Sequence, residues 1–379
     1  MERPIRVVFV IDSLRPGGAE RQLVELIRGL FARGGYELHL VCLLRAQNSY
    51  AEWLTPLGLE PHYIQRSCKY DFAGPVFSLA RYIRSQRIDL VHTFMNMGSL
   101  IGCLAAKMTR RPVVCSAIRD GKDPSRKAKY IKYFLAAAAD YLVANSRAGF
   151  AGRFRTMRPH FRVVYNGVDF SRFAGDDKAT QRAANELGLQ GERRVVGMVG
   201  SLSLYRDQAT LLRAAPRVLS VFPDVVFVFV GDGDQREHLE QLAKQLGIAA
   251  QVVFAGFRGD VDRIYPLMDL CVLLSNNRVI IEGISNALIE AMANGVPVIA
   301  STGGGTDELI EHNQSGLLVE PHNPEAVADA VLALLGAPEA ERSRLARNAC
   351  QRVRELFALE RYVREYEDLY DDLLHRSRR

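Results

Sequence analysis

Apolar runs rich in β-branched residues alternate with helix-periodic segments, and the alternation occurs twice along the chain. In the first series, strand-like runs at residues 5–11, 38–44, 90–92, 113–116 and 141–144 are separated by helix-like segments at 19–30, 77–84, 100–109 and 128–139. Strands this continuously apolar need cover on both faces, and the intervening helices supply it, so the pattern predicts a parallel, doubly wound sheet. A polar, helix-poor stretch follows at 171–177. The second series has strand-like runs at 194–199, 225–230, 252–254, 270–274 and 298–299, with helical ones at 208–219, 236–246, 261–267, 286–293 and 324–335. The expected fold class is α/β, with two Rossmann-like doubly wound domains facing a cleft, residues 1–170 and residues 171–358. At 379 residues the chain exceeds the roughly 250–300 that a single hydrophobic core supports, in keeping with two. A charged, amphipathic stretch at 338–374 has room for two or three helices, and the last part, about 359–379, is expected to return to the first domain.

Several classes are disfavoured. The longest uncharged apolar run, around residues 133–139, stops at Asp140, well short of the ~18 residues that a membrane span needs. Met1-Glu2-Arg3-Pro4 leads directly into a strand-like run, without the pattern of a secretory leader, so a cytoplasmic location is expected. Cys42, Cys68, Cys103, Cys115, Cys271 and Cys350 lie far apart with no C-x-x-C pair, and they read as buried thiols. Two D-x-D strings, Asp232-Gly233-Asp234 and Asp260-Val261-Asp262, fall at a turn and at a helix start, where carboxylates are favoured without any ligand. No cluster has metal-ligand spacing, so neither a metal nor another cofactor is expected.

Charge is distributed unevenly. Residues 1–170 carry about +13 and the remainder about −7, giving the overall +6. Such a basic module suits an anionic lipid surface or an anionic small molecule, and nucleic acid is not an expected partner. The densest basic stretch holds Lys122, Arg126, Lys127, Lys129 and Lys132 among Tyr130, Ile131, Tyr133 and Phe134. As a helix it would be basic on one side and apolar on the other, fit for the inner face of a membrane or an anionic acceptor, or simply a solvated surface.

In open parallel sheets, ligands collect at the carboxyl ends of strands, where helix N-termini present N–H groups. The first strand leads into Gly17-Gly18-Ala19-Glu20, a turn whose amides could meet an oxyanion or phosphate, or which could be only a tight connection. The richest segment follows the strand at 270–274. There Glu282 and Glu290 flank the start of a helix, with Gly283, Ile284, Ser285 and Asn286 between them and Ser285 or Asn286 placed to cap. Amides there could face a phosphate, and the carboxylates could each hold sugar or ribose hydroxyls.

The stretch from Glu282 to Ala300, followed by Gly303-Gly304-Gly305-Thr306-Asp307-Glu308 and Ser315-Gly316-Leu317, resembles family-4 glycosyltransferases of the GT-B fold, also called glycosyl transferases group 1. Gly17-Gly18-Ala19-Glu20, Asn166-Gly167-Val168-Asp169, Arg206-Asp207-Gln208, Gly231-Asp232-Gly233 and Phe254-Ala255-Gly256 fall in that family's order, so the resemblance covers nearly the whole chain. It implies a retaining transfer from a nucleotide-diphosphate sugar, UDP-linked in preference to GDP-linked, without a metal. Position by position, it implies that Glu290 holds the ribose hydroxyls, Glu282 contacts the transferred sugar, and Ile284, Ser285 and Asn286 bind the diphosphate. It places Gly256, Phe257 and Arg258 near the base, and has Gly18 approach the diphosphate from the other domain.

Two positions depart from the family pattern. Where an Arg and a Lys five residues apart usually neutralise the leaving diphosphate, this chain has Ser201 and Arg206. One cation remains, and Arg278, Arg258 or Arg119 could supply another. Where members often carry a His, Arg119 stands, able to bind phosphate or an anionic acceptor but not to act as a base at neutral pH. His92, Arg119 and Lys122 are the expected acceptor residues, with a packed strand-end histidine as the other reading of His92. Glu282, Arg206 and Arg119 are the expected catalytic set. Acceptors in view are glycans and lipid-linked sugars in cell-surface polysaccharide synthesis. A nucleotide-sugar epimerase or hydrolase of this fold, and a non-catalytic nucleotide-sugar binder, stay open as rivals.

Overall fold

The computed structural model describes residues 3–46, 48–65, 71–121, 126–173, 175–191 and 193–377. The chain divides into two compact units, Met1–Gly167 with Ala358–Arg379, and Val168–Phe357.

Among the described residues, the first unit is built on seven parallel strands: β1 (Ile5–Ile11), β2 (Tyr36–Cys42), β3 (His62–Tyr63), β4 (Leu90–Phe94), β5 (Val113–Ile118), β6 (Tyr141–Ala144) and β7 (Phe161–Val163). Their order is β3-β2-β1-β4-β5-β6-β7. β1 shows why the sheet must be covered twice. Val8 and Val10 join one core, with the helices Ala73–Ser85, Asn96–Thr109 and Arg126–Ala138. Val7, Phe9 and Ile11, on the alternate face, join another with the helix Gly18–Arg33. All five side chains are fully buried.

That second core is completed by the helix Leu359–Ser377, which brings Tyr362, Val363, Tyr366, Leu369, Tyr370 and Leu373 along one stripe. It packs closely on the helix Gly18–Arg33, because a Cβ on Gly29 would lie 2.2 Å from a Val363 methyl. The preceding helix, Glu339–Phe357, stays in the second unit, so the final charged stretch divides between the two.

Among its described residues, the second unit has six parallel strands: β8 (Arg194–Val199), β9 (Val225–Val230), β10 (Val252–Gly256), β11 (Leu270–Leu273), β12 (Val298–Ser301) and β13 (Leu317–Val319). Their order is β10-β9-β8-β11-β12-β13. β9, Val-Val-Phe-Val-Phe-Val, is buried at every position, as an inner strand covered by helices on both faces requires. The helix Gln208–Val221 starts under an Asp207 cap, whose carboxylate accepts from the Thr210 amide at 3.3 Å and the Thr210 hydroxyl at 2.8 Å. In each unit the strand order reverses beside the first strand, between β1 and β4 and between β8 and β11, and such switch points open a crevice at the strand carboxyl ends.

Among the described residues, no helix is long and apolar enough to cross a membrane. Cys42, Cys103, Cys115 and Cys271 are buried thiols, but Cys350 is only partly covered, and Cys68 lies outside the described residues.

Candidate active site

At the switch point of the second unit, two loops run antiparallel and pull their polar residues together. The Asp207 amide donates to the Leu274 carbonyl and the Asn276 amide to the Tyr205 carbonyl, each at 3.0 Å, so Arg206 lies opposite Ser275. The Arg206 guanidinium donates to Glu282 Oε2 and, at 3.2 Å, to Ser275 Oγ. Ser275 Oγ in turn donates to Glu282 Oε2 at 2.6 Å. Arg206 and Glu282 expose only 15% and 17% of their side chains, which strengthens their attraction relative to a surface pair.

A third loop closes over this cluster. The Gly305 amide donates to the Glu282 carbonyl at 2.9 Å. A Cβ on Gly304 would sit 2.1 Å from that same oxygen, and one on Gly305 would sit 2.4 Å from the Gly283 carbonyl carbon. Gly304 and Gly305 are therefore required by backbone-on-backbone packing, and Gly303 by its φ of +113°. Gly231 has the same role behind the loop that carries Arg206, since its Cβ would lie 2.1 Å from the Gly200 carbonyl oxygen.

The helix Asn286–Ala293 rises from these loops with Ser285 at its N-cap, although the Ser285 side chain makes no capping bond. Gly283, Ile284 and Ser285 are buried and Asn286 half-buried, so the first turn opens among packed side chains. Glu290, one turn in, is only 5% exposed. Arg172, which the sequence reading passed over, reaches it at 3.9 Å while donating to Asp262 at 2.5 Å. Ser275 and Arg172 carried no motif signal, and Asp262 stood out only as part of a D-x-D string at a helix start; the charge of Arg172 beside Asn166-Gly167-Val168-Asp169 was the available clue.

Phe257 is 61% exposed beside Gly256, whose φ of +69° turns the chain out of β10. Arg258, one of three residues that the sequence suggested as a spare cation, is already engaged by carboxylates. Its guanidinium donates to both Asp260 oxygens, at 2.8 and 2.6 Å, and to Glu186 at 2.7 Å. Ser201 is exposed and meets Ser203 Oγ at 3.0 Å, and Arg278 is likewise exposed. Of the D-x-D carboxylates, Asp232 pairs with Arg236, Asp260 with Arg258 and Asp262 with Arg172. Among the described residues no group of His, Cys, Asp and Glu could hold a metal ion.

In the first unit, the Gly17-Gly18 turn is filled from within, contrary to the expectation of an open Gly17 amide. Gly17 N–H points to Tyr50 Oη at 3.3 Å, and a Cβ on Gly17 would strike the Glu20 carboxylate at 2.2 Å. Burial pushes the Glu20 pKa up, against the pull of the Arg119 charge. Asp12, at the end of β1, accepts from the Gly98 amide at 2.5 Å, and burial raises its pKa as well. Arg119 Nη1 donates to Asn166 at 2.9 Å, while its Nε and Nη2 are buried with no hydrogen-bond partner among the described residues.

His92 is removed from any acceptor. It is fully buried, with Nδ1 at 2.6 Å from Tyr370 Oη and Nε2 at 2.8 Å from Ser116 Oγ, and it belongs to the core under the returning helix. Burial, aided by the Arg119 charge, holds its pKa well below the usual value. Lys132, counted with the basic surface, is 5% exposed and donates inward to the Ala117 carbonyl. Lys122 lies outside the described residues.

Residues 179–352 match the family described as glycosyl transferases group 1, and residues 16–172 match glycosyltransferase family 4. The chain belongs to this glycosyltransferase family. Its relatives include an uncharacterised glycosyltransferase of Methanocaldococcus jannaschii, 32% identical over 57% of the chain, where the match spans just over half, 55%, of the archaeal protein's length. A D-inositol 3-phosphate glycosyltransferase of Nocardioides is 29% identical, covering 93% of the chain and 85% of that protein. An Escherichia coli UDP-Gal:alpha-D-GlcNAc-diphosphoundecaprenol alpha-1,3-galactosyltransferase is 25% identical, covering 79% of each. The crystal structure of Anabaena HepE in complex with UDP-glucose superposes with a TM-score of 0.86 at 23% identity, covering 97% of this chain and all of that one. This likeness establishes the GT-B fold for the glycosyltransferase described here.

Proposed function

We propose that this glycosyltransferase moves a hexosyl or N-acetylhexosaminyl unit, with retention at the anomeric carbon, from a nucleotide-diphosphate sugar to a glycan or lipid-linked acceptor in cell-surface polysaccharide synthesis. The observation that carries the reading is the convergence of Arg206, Ser275 and Glu282 beside the first turn of the helix that bears Glu290. A helix N-terminus and a guanidinium together suit a diphosphate, and a buried carboxylate suits two vicinal hydroxyls. A UDP-linked donor is favoured, in line with the UDP-glucose bound by HepE and the UDP-Gal named for the E. coli relative.

In the proposed reaction, Glu290 holds the ribose, the amides of residues 284–286 hold the diphosphate, and Arg206 neutralises charge as it departs. Glu282, already shared between Arg206 and Ser275, positions the donor sugar and does not act as a nucleophile. The bond from the anomeric carbon to the diphosphate oxygen breaks, the acceptor oxygen bonds on the same face, and the acceptor proton passes to the departing phosphate. No cofactor takes part. Arg119, with two donors lacking partners among the described residues, binds the anionic part of the acceptor. Tyr130, 73% exposed, and Tyr133, 44% exposed, on a basic unit suit peripheral contact with an anionic membrane at its inner face.

Thermal-shift screening against UDP-, GDP-, ADP- and CMP-linked compounds identifies the donor through ligand stabilisation. Calorimetry of Glu290→Ala then tests the site, with a loss of about tenfold or more in donor affinity expected. Unchanged affinity sinks the assignment. Donor consumption that needs no acceptor identifies a hydrolase or epimerase instead.

A further inference from the structure

The segment that opens the second unit is a single 3-10 turn, Phe170–Phe173, and its residues are fixed on several sides. Asp169 accepts from the Ser171 amide at 2.9 Å and from its hydroxyl at 2.6 Å. The Arg354 guanidinium lies 4.5 Å from the Phe170 ring centre, and that of Arg172 lies 5.5 Å from Phe173. From this turn Arg172 reaches inward. It retains 12% side-chain exposure, against 18% for Asp262 and 7% for Glu290.

The two carboxylates are engaged differently. Asp262 takes a short hydrogen bond at 2.5 Å, whereas Glu290 faces the guanidinium at 3.9 Å, beyond hydrogen-bond length. Asp262 thus fixes where the guanidinium sits, and the guanidinium sets the charge that Glu290 feels. A carboxylate buried this deeply is costly to keep ionised without an opposite charge nearby. Contact at 3.9 Å supplies that charge without the Arg172 hydrogen bond competing for the Glu290 oxygen.

We propose that Arg172, tethered by Asp262, is a positioning residue that keeps the Glu290 carboxylate ionised and aimed for the ribose hydroxyls of the donor nucleotide. This rests on the reading of Glu290 as the ribose clamp. Arg172 makes donor affinity depend on the first turn after the chain enters the second unit.

Calorimetry on the full chain tests it, using whichever of UDP, GDP and ADP binds most tightly, together with its 2′,3′-dideoxy counterpart. Arg172→Gln should lose about tenfold in affinity for the ribonucleotide and change the dideoxy affinity less than about twofold, with Arg172→Lys between. A merely structural role would weaken both ligands alike, and that result overturns the proposal, as does no change in either. Asp262→Asn, which releases the tether but keeps the cation, should show the same selectivity at smaller size; it decides the question if Arg172→Gln does not fold, and equal loss for both ligands is then the overturning result. Glu290→Gln separates the two levels. If Glu290→Gln loses affinity equally for the ribonucleotide and the dideoxy compound, the clamp itself is wrong; if its loss is confined to the ribonucleotide and that of the Arg172 variants is not, only the role of Arg172 falls.

Discussion

Arg206 and Glu282 neutralise each other, with the Ser275 hydroxyl donating to the shared carboxylate oxygen at 2.6 Å. The cation proposed for the leaving diphosphate is therefore engaged before any donor arrives, and donor binding must redirect it. Glu282→Gln weakens that hold. It should leave nucleoside-diphosphate affinity within about threefold of wild type, or tighter, while sugar transfer falls about a hundredfold because the donor sugar loses its positioning group. Arg206→Ala should lower both. Titration calorimetry and a transfer assay on the same preparations decide it, and parallel losses in both quantities for Glu282→Gln would contradict the exchange.

Gly305 supports the same cluster from outside. Its substitution by Ala puts a methyl 2.4 Å from the Gly283 carbonyl carbon, so the loop holding Glu282 must shift. Donor affinity should fall about tenfold or more, since misplacement on the order of 1 Å is costly at such sites. Gly336→Ala, where the added atom would meet only Phe222 at 3.8 Å, should leave binding unchanged. Equal behaviour of the two variants would remove the packing argument.

Arg119 lies in the other unit, and its role is separable by kinetics. Arg119→Ala should raise the acceptor KM about tenfold or more while nucleotide affinity stays within about twofold. Loss of nucleotide affinity in Arg119→Ala would move this residue from acceptor to donor.

His92 gives a pH signature. Its folded pKa lies well below 6.5, so the unfolded chain takes up a proton that the folded chain refuses. Its contribution to stability is fully present above pH 6.5 and is lost on acidification, at up to about 1.4 kcal/mol per pH unit down to the folded value. Asp12 and Glu20, raised by burial, act with the opposite sign: their contribution is present below their unfolded values and is lost as pH rises through the folded ones. The comparison of wild type with His92→Gln isolates the histidine. Urea unfolding between pH 7.5 and 5 should show a shallower pH dependence in the variant, and identical slopes would place His92 outside the titrating set.

Much of this architecture was legible because long buried strands and amphipathic helices carry strong periodicity. The helix Asn286–Ala293 has the bounds that its pattern gave. β3, β7 and β13 were not read as strands, since two or three residues hold no period to detect. The site divides along a similar line. Glu282 and Glu290 announce themselves by sequence motif, whereas Ser275 and Arg172 acquire meaning only through partners 7 and 118 positions away. His92 and Lys132 misled for another reason. Strand-end and helix positions look available in one dimension, and the tyrosines that cover His92 come from the other end of the chain.

That late arrival bears on synthesis. Tyr362, Tyr366 and Tyr370 wall one side of the first unit's core, yet a ribosome makes them after the whole of the second unit. Until they emerge, β1 and the helix Gly18–Arg33 keep an apolar face without cover, while residues 168–357, a compact unit of their own, are already complete in sequence. The usual order of maturation, first domain first, is thus inverted at its last step, and the newborn amino-terminal half is the part that needs protection from aggregation.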